Sequence, residues 1–148
     1  MAAPVLTKRR VLVVDDEENV THLVSSALRF DGFDTFTADN GPSALAAVAE
    51  SDPDLVVLDV MMPGMDGLEV CERLREHSAW RSIPVVLLTA KDDLETRSRG
   101  MLLGVSEYLT KPVNKLELFA RLQAQLHSRE LERRMDATAA TVADLAKK

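Results

Sequence analysis

The sequence has a single cysteine, Cys71, so no internal disulfide can form. That residue falls in the apolar spacing Leu68, Cys71, Leu74 and reads as a small buried hydrophobe rather than a reactive thiol. A chain that does without disulfides suits a reducing compartment, and a cytoplasmic location is expected. Aromatic residues are scarce, at 4% against 46% hydrophobic overall, so the core must be built from Val, Leu, Ala and Met. There is no basic excess: the formal net charge is -6, which argues against a nucleic-acid partner for this chain. The short run Lys8-Arg9-Arg10 leads straight into an apolar strand and reads as a solvated tail. No apolar stretch approaches the roughly 20 residues that span a bilayer, so no membrane partner is expected. Met1 to Thr7 lacks the apolar segment of a signal peptide.

Two patterns alternate along the 148 residues, a length that suits one domain. Short β-branched runs lie at Val11-Leu12-Val13-Val14, Phe33 to Thr37, Leu55-Val56-Val57-Leu58, Val85-Val86-Leu87-Leu88 and Tyr108-Leu109. The first, third and fourth are continuously apolar, as a strand covered on both faces requires. Between them lie helical spacings. Val20, Leu23, Val24, Ala27 and Leu28 form a stripe that stops at Asp31-Gly32. Pro42 can open a second helix, with Leu45 and Val48 inward. Leu68, Cys71 and Leu74 mark a third; Leu94, Met101 and Leu102 mark a weaker fourth, ended by Gly104; Leu116, Phe119, Leu122 and Leu126 mark a fifth. Five alternations predict an α/β fold, a parallel sheet with helices on both faces joined by right-handed crossovers.

From Asn114 to Lys148 there is no Gly or Pro, so the last helix is expected to run on beyond the domain. Leu131, Met135, Val142 and Leu145 alternate in steps of four and three around Thr138, the coiled-coil rhythm. The expected organisation is a disordered tail over 1–8, a domain over 9–127, and a helical extension over 128–148. The extension would serve as a coiled coil, giving a weak homodimer, or as a linker to an output domain.

Ligands of open parallel sheets bind beyond the carboxyl ends of the strands. The first strand ends in Asp15-Asp16, the third in Asp59, the fourth in Thr89-Ala90, and Lys111-Pro112 follows the fifth. Three carboxylates, a hydroxyl and an ammonium thus meet at one edge. Crowded carboxylates raise one another's pKa unless a cation joins them. Hard oxygen donors with room for water suit Mg²⁺, or Mn²⁺ in its place. A metal and a lysine side by side neutralise a phosphoryl group in transfer, which is most of what such catalysis requires. Asp59, delivered alone by the central strand, is the candidate nucleophile. Each feature alone has a blander reading: an Asp-Asp pair at a strand end commonly caps the next helix. The three histidines, His22, His77 and His127, are scattered and fit no metal spacing.

The chain resembles the receiver domains of two-component response regulators, of which the chemotaxis regulator is the simplest. The matching segments are Val-Leu-Val-Val-Asp-Asp-Glu at 11–17, Leu-Asp-Val-Met-Met-Pro-Gly-Met-Asp-Gly at 58–67, Leu-Leu-Thr-Ala at 87–90 and Tyr-Leu-Thr-Lys-Pro at 108–112. The resemblance implies a flavodoxin-like strand order 2-1-3-4-5 and a signalling switch rather than a conventional enzyme. It implies Asp59 as phosphoacceptor, with Asp16 binding Mg²⁺ directly, Asp15 through water, and the Met61 carbonyl completing the ligands. Thr89 would hydrogen-bond the phosphoryl group, Lys111 would pair with it, and Ala90 would leave the acceptor accessible. Tyr108 would turn inward as Thr89 moves, and the Lys111-Pro112 peptide would be cis. The implied donor is a histidine kinase or a histidine phosphotransfer protein; the output partner is not named by any motif.

Met61 and Lys91 flank the route of a hydrolytic water, and Met61 offers neither acid nor amide to orient it. A phosphatase of the haloacid-dehalogenase class also uses an aspartyl nucleophile in such a fold. It needs a second acid two positions on, where this chain has Met61. A purely structural receiver would tolerate loss of the acidic pair or of Lys111, and both are present.

Overall fold

The computed structural model describes residues 8–90 and 94–146, with side chains beyond Leu131 described only at Met135. The expectations for the N-terminal tail, for Lys91, and for the side chains of Val142 and Leu145 lie outside the described residues.

The elements follow the predicted alternation. They are β1 (Arg10–Val14), α1 (Glu18–Phe30), β2 (Asp34–Ala38), α2 (Gly41–Ser51), β3 (Leu55–Asp59), α3 (Gly67–Glu76), β4 (Val85–Thr89), α4 (Leu94–Leu102), β5 (Glu107–Thr110) and α5 (Lys115–Ala146). All strand pairs are parallel, in the order β2-β1-β3-β4-β5. The second strand starts one residue later than the apolar run suggests, because Phe33 is spent as a buried plug beneath the sheet.

The side-chain alternation of the strands divides the core in two. Leu12, Val14, Val56, Leu58, Val85 and Leu87 face one way, under Ala44 and Val48 of α2 and Leu68, Cys71 and Leu74 of α3. Val11, Val13, Leu55, Val57, Val86 and Leu88 face the other way, under Val24 and Leu28 of α1 and Leu118, Leu122 and Leu126 of α5. This explains the unbroken apolar runs: the three inner strands have no solvent face. Burial pushes the Cys71 thiol up to about 12, so it packs and does not react.

Helix α4 departs from its sequence signature. The three apolar residues that mark it, Leu94, Met101 and Leu102, point to solvent, whereas its buried residues are Thr96 and Gly100. Helix α5 is one element of 32 residues, a rod of about 48 Å. Its contacts with the domain run on past Leu126. Arg129 Nη1 donates to the Asp54 carbonyl at 2.8 Å, and Glu130 pairs with Arg9 at 2.7 Å. Leu131 and Met135 beyond them are exposed. Among the described residues no helix is long and apolar enough to cross a membrane.

Candidate functional site

Register brings the acidic groups together. Val14 pairs with Leu58 across β1 and β3, so the next residues on each strand, Asp15 and Asp59, emerge side by side at the carboxyl edge. Asp59 pairs with Leu88, which places Thr89 beside it at the end of β4. The turn after β5 returns Lys111 over this edge, its amide donating to the Thr89 carbonyl at 2.7 Å, and the Lys111-Pro112 bond is cis as expected.

Lys111 Nζ lies 2.8 Å from Asp15 Oδ2 and 3.2 Å from Asp59 Oδ1, with Glu17 Oε1 at 4.0 Å. Both aspartates are almost fully buried. Two carboxylates in such a place repel each other, and the ammonium between them relieves part of that repulsion. Asp59 still titrates high, at about 6. Burial is the largest cause and the Asp15 charge the next, outweighing the opposing pull of Lys111 and the Met61 amide. For Lys111, burial works to lower the pKa, but the contact with Asp15 and the charge of Asp59 prevail and hold it above its ordinary value.

Neither member of the acidic pair caps a helix. The N-cap of α1 is Glu17, which makes no side-chain capping bond, and Asp15 Oδ1 instead accepts the Glu17 amide at 2.9 Å. That bond folds the turn so that Asp15, Asp16 and Glu17 offer carboxylate oxygens within 4.8 Å of one another. Asp15 is buried, while Asp16 and Glu17 are exposed. The donor set is hard oxygen throughout, with one side open, and it fits a small divalent cation. Glu17 was not among the ligand candidates of the sequence; its place at the end of the Asp-Asp-Glu run was the available signal.

The remaining predicted residues spread outward. Thr89 Oγ1 is buried and has no hydrogen-bond partner among the described residues, a polar atom that a phosphoryl oxygen would satisfy. The Met61 amide donates to Asp59 Oδ1 at 3.3 Å, and its side chain is exposed. Ala90 is exposed. Tyr108 stands away from the carboxylates, its hydroxyl donating to the Arg97 carbonyl of α4 at 2.8 Å. The loop after Asp59 is held close by Gly67, which opens α3 and donates to the Val60 carbonyl at 3.0 Å. A β-carbon there would run into the Asp59 carbonyl oxygen and Val60 Cα, so only glycine lets α3 start this near Asp59.

Residues 11–123 match the response regulator receiver domain family. The chain belongs to that family. Phosphorylation-dependent switching is the general function of these receivers, and the family uses Mg²⁺ at an acidic pocket. The chain is 46% identical over 115 residues to the response regulator PleD of Caulobacter vibrioides, covering 78% of this chain and 25% of that protein. It is 48% identical over 116 residues to the probable transcriptional regulatory protein TcrX of Mycobacterium tuberculosis, covering 78% of this chain and 49% of the relative. The receiver therefore spans a quarter to about half of these curated relatives. Among solved structures, the chemotaxis protein CheY4 of Vibrio cholerae is similar with a TM-score of 0.77 and 32% identity, over 80% of this chain and 98% of that one.

Proposed function

We propose that this receiver takes a phosphoryl group onto Asp59 from a histidine kinase or a histidine phosphotransfer protein, and switches its α4-β5-α5 face in response. The observation that carries the reading is the ammonium of Lys111 set between two buried aspartates, 2.8 Å from Asp15 and 3.2 Å from Asp59. An Asp59 oxygen attacks the phosphorus in line. The O–P bond forms as the P–N bond of the donor breaks, and the electron pair returns to the imidazole nitrogen, which takes up a proton. Asp15, Asp16, Asp59 and the Met61 carbonyl would hold Mg²⁺ or Mn²⁺, with Glu17 in reach. When bound, the metal neutralises phosphoryl oxygens and fixes their orientation. Lys111 then exchanges one carboxylate partner for a phosphoryl oxygen, and Thr89 donates its buried hydroxyl to another.

That movement is the start of the switch. Leu87 pairs with Tyr108 and Thr89 with Thr110, so Thr89 and Tyr108 share one face of the sheet. Space vacated by Thr89 favours the inward position of Tyr108, a two-state element biased by local charge. The chain catalyses only its own phosphorylation and dephosphorylation, and Met61 leaves the hydrolytic water without an acid or amide to orient it. The output partner meets a face where Leu94, Met101, Leu102 and Leu116 are exposed. A cytoplasmic setting, without nucleic acid bound by this chain, completes the reading.

Incubation with acetyl phosphate and Mg²⁺ is expected to add one phosphoryl group per chain, read by intact mass. Chelator, or the variant Asp59→Asn, is expected to reduce uptake to background; equal uptake by that variant contradicts the reading.

The extension over 128–148 serves as a weak coiled coil or as a linker to an output domain. Few large apolar residues are available to it, so pairing is expected only at high concentration. Sedimentation of the full chain should show a concentration-dependent dimer that weakens on deletion beyond Ser128. A chain that stays monomeric at all concentrations, with and without beryllofluoride, contradicts self-association.

A further inference from the structure

Helix α4 buries Thr96 and Gly100, and the glycine lies against Tyr108. A β-carbon placed on Gly100 would stand 2.5 Å from the Tyr108 hydroxyl oxygen, and 3.1 and 3.2 Å from Cε1 and Cζ of the ring. The phenol therefore occupies the volume that any other residue at position 100 would fill. Two further contacts close around it. The hydroxyl donates to the Arg97 carbonyl at 2.8 Å, and the Arg97 guanidinium lies over the ring, 5.9 Å from its centre. The tyrosine is thus clasped by one turn of α4.

Glycine inside a helix is destabilising relative to alanine. Its presence here has a counterpart in the close approach of Tyr108. Nor can the backbone at 100 easily retreat. The Gly100 carbonyl accepts from the amides of Leu103 at 3.1 Å and Val105 at 3.0 Å, which ties that turn to the connection that leads into β5. A side chain at 100 is therefore relieved by moving Tyr108, not by moving the helix.

We propose that Gly100 is a positioning residue of the switch: the side chain it lacks is the seat of the Tyr108 phenol. The residue at 100 then sets how firmly Tyr108 is held in this seat, and through it the balance between the two positions of the switch. The proposal rests on the reading of Tyr108 as the group that responds to Asp59.

The test is a double-variant cycle on the full chain, using Gly100→Ala, Tyr108→Phe and the pair together. Tyr108 is the single tyrosine, so its ring resonances are unambiguous. Helix propensity alone makes Gly100→Ala stabilising. The seat makes it the opposite: unfolding at lower denaturant, ring resonances displaced from their wild-type positions, and a several-fold change in affinity for beryllofluoride in Mg²⁺. Phenylalanine at 108 removes the atom at 2.5 Å. The double variant is therefore expected to lose less stability relative to Tyr108→Phe than Gly100→Ala loses relative to wild type. Unchanged ring resonances and affinity in Gly100→Ala, or an equal loss of stability with Phe at 108, overturn the proposal. If the wild-type chain itself does not respond to beryllofluoride, the reading of the switch falls, while the ring shifts and the stability cycle still decide the seat.

Discussion

Replacing Asp59 with asparagine is expected to stabilise the metal-free protein at neutral pH, by about 1–2 kcal/mol. The carboxyl titrates at about 6 in the fold against an ordinary 3.8, chiefly because it is buried and secondly because Asp15 is beside it. The folded chain thus holds this proton more tightly than the unfolded chain. The stability that follows is fully present below about pH 3.8 and is lost as the pH rises through about 6. At pH 7 the ionised group is a cost, with a ceiling of about 3 kcal/mol for a shift of this size. Part of that is forfeited when Lys111 loses a partner and the new amide is left incompletely bonded. Urea unfolding in chelator should show the gain at pH 7 and its disappearance as the pH falls below the ordinary carboxyl value of 3.8, where both states of the wild type are mostly protonated. A variant less stable than wild type at pH 7, or a gain that does not depend on pH, contradicts this account of the site.

Lys111→Met should act in the opposite direction. It removes the cation from between Asp15 and Asp59, both nearly inaccessible. Breaking a buried ion pair from one side costs about 3–5 kcal/mol. Uptake of a proton by Asp59 softens this, so a loss of about 2–3 kcal/mol is expected at pH 7, and less in acid. The loss should shrink when Mg²⁺ is added, because a divalent cation satisfies the same carboxylates. By linkage, Mg²⁺ then raises the unfolding midpoint of Lys111→Met more than that of the wild type. Phosphoryl uptake should fall even where Mg²⁺ restores stability, since the second positive charge is gone. A deficit unaffected by saturating Mg²⁺ would mean that Lys111 acts by packing alone.

The chemistry of this chain is legible because strand ends carry it. Three continuous apolar runs leave little choice but inner parallel strands, and the residues that end them, Asp15, Asp59 and Thr89, must then share an edge. What escaped the sequence is what has no side-chain signature. The packed face of α4 consists of Thr96 and Gly100, neither of which an apolar pattern registers, while its leucines and methionine face solvent. The partner of the Tyr108 hydroxyl is a backbone carbonyl, which every residue has. In α5, Leu118 is buried and Leu116 exposed, a phase set by where Asn114 caps the helix, accepting the Glu117 amide at 3.1 Å. The pair Arg9–Glu130 joins the two ends of the domain across 121 positions, beyond any local pattern. The helical continuity of α5 was legible for a simpler reason: nothing after Asn114 interrupts it.

Borohydride trapping locates the phosphoryl group that we propose for Asp59. Borohydride reduces an acyl phosphate to the alcohol, so aspartyl phosphate is recovered as homoserine at the residue that carried it. After acetyl phosphate and Mg²⁺, followed by borohydride and peptide sequencing by mass spectrometry, homoserine is expected at position 59 and nowhere else. Homoserine at position 15 or 16, or its absence from a chain whose intact mass had gained a phosphoryl group, would contradict the account.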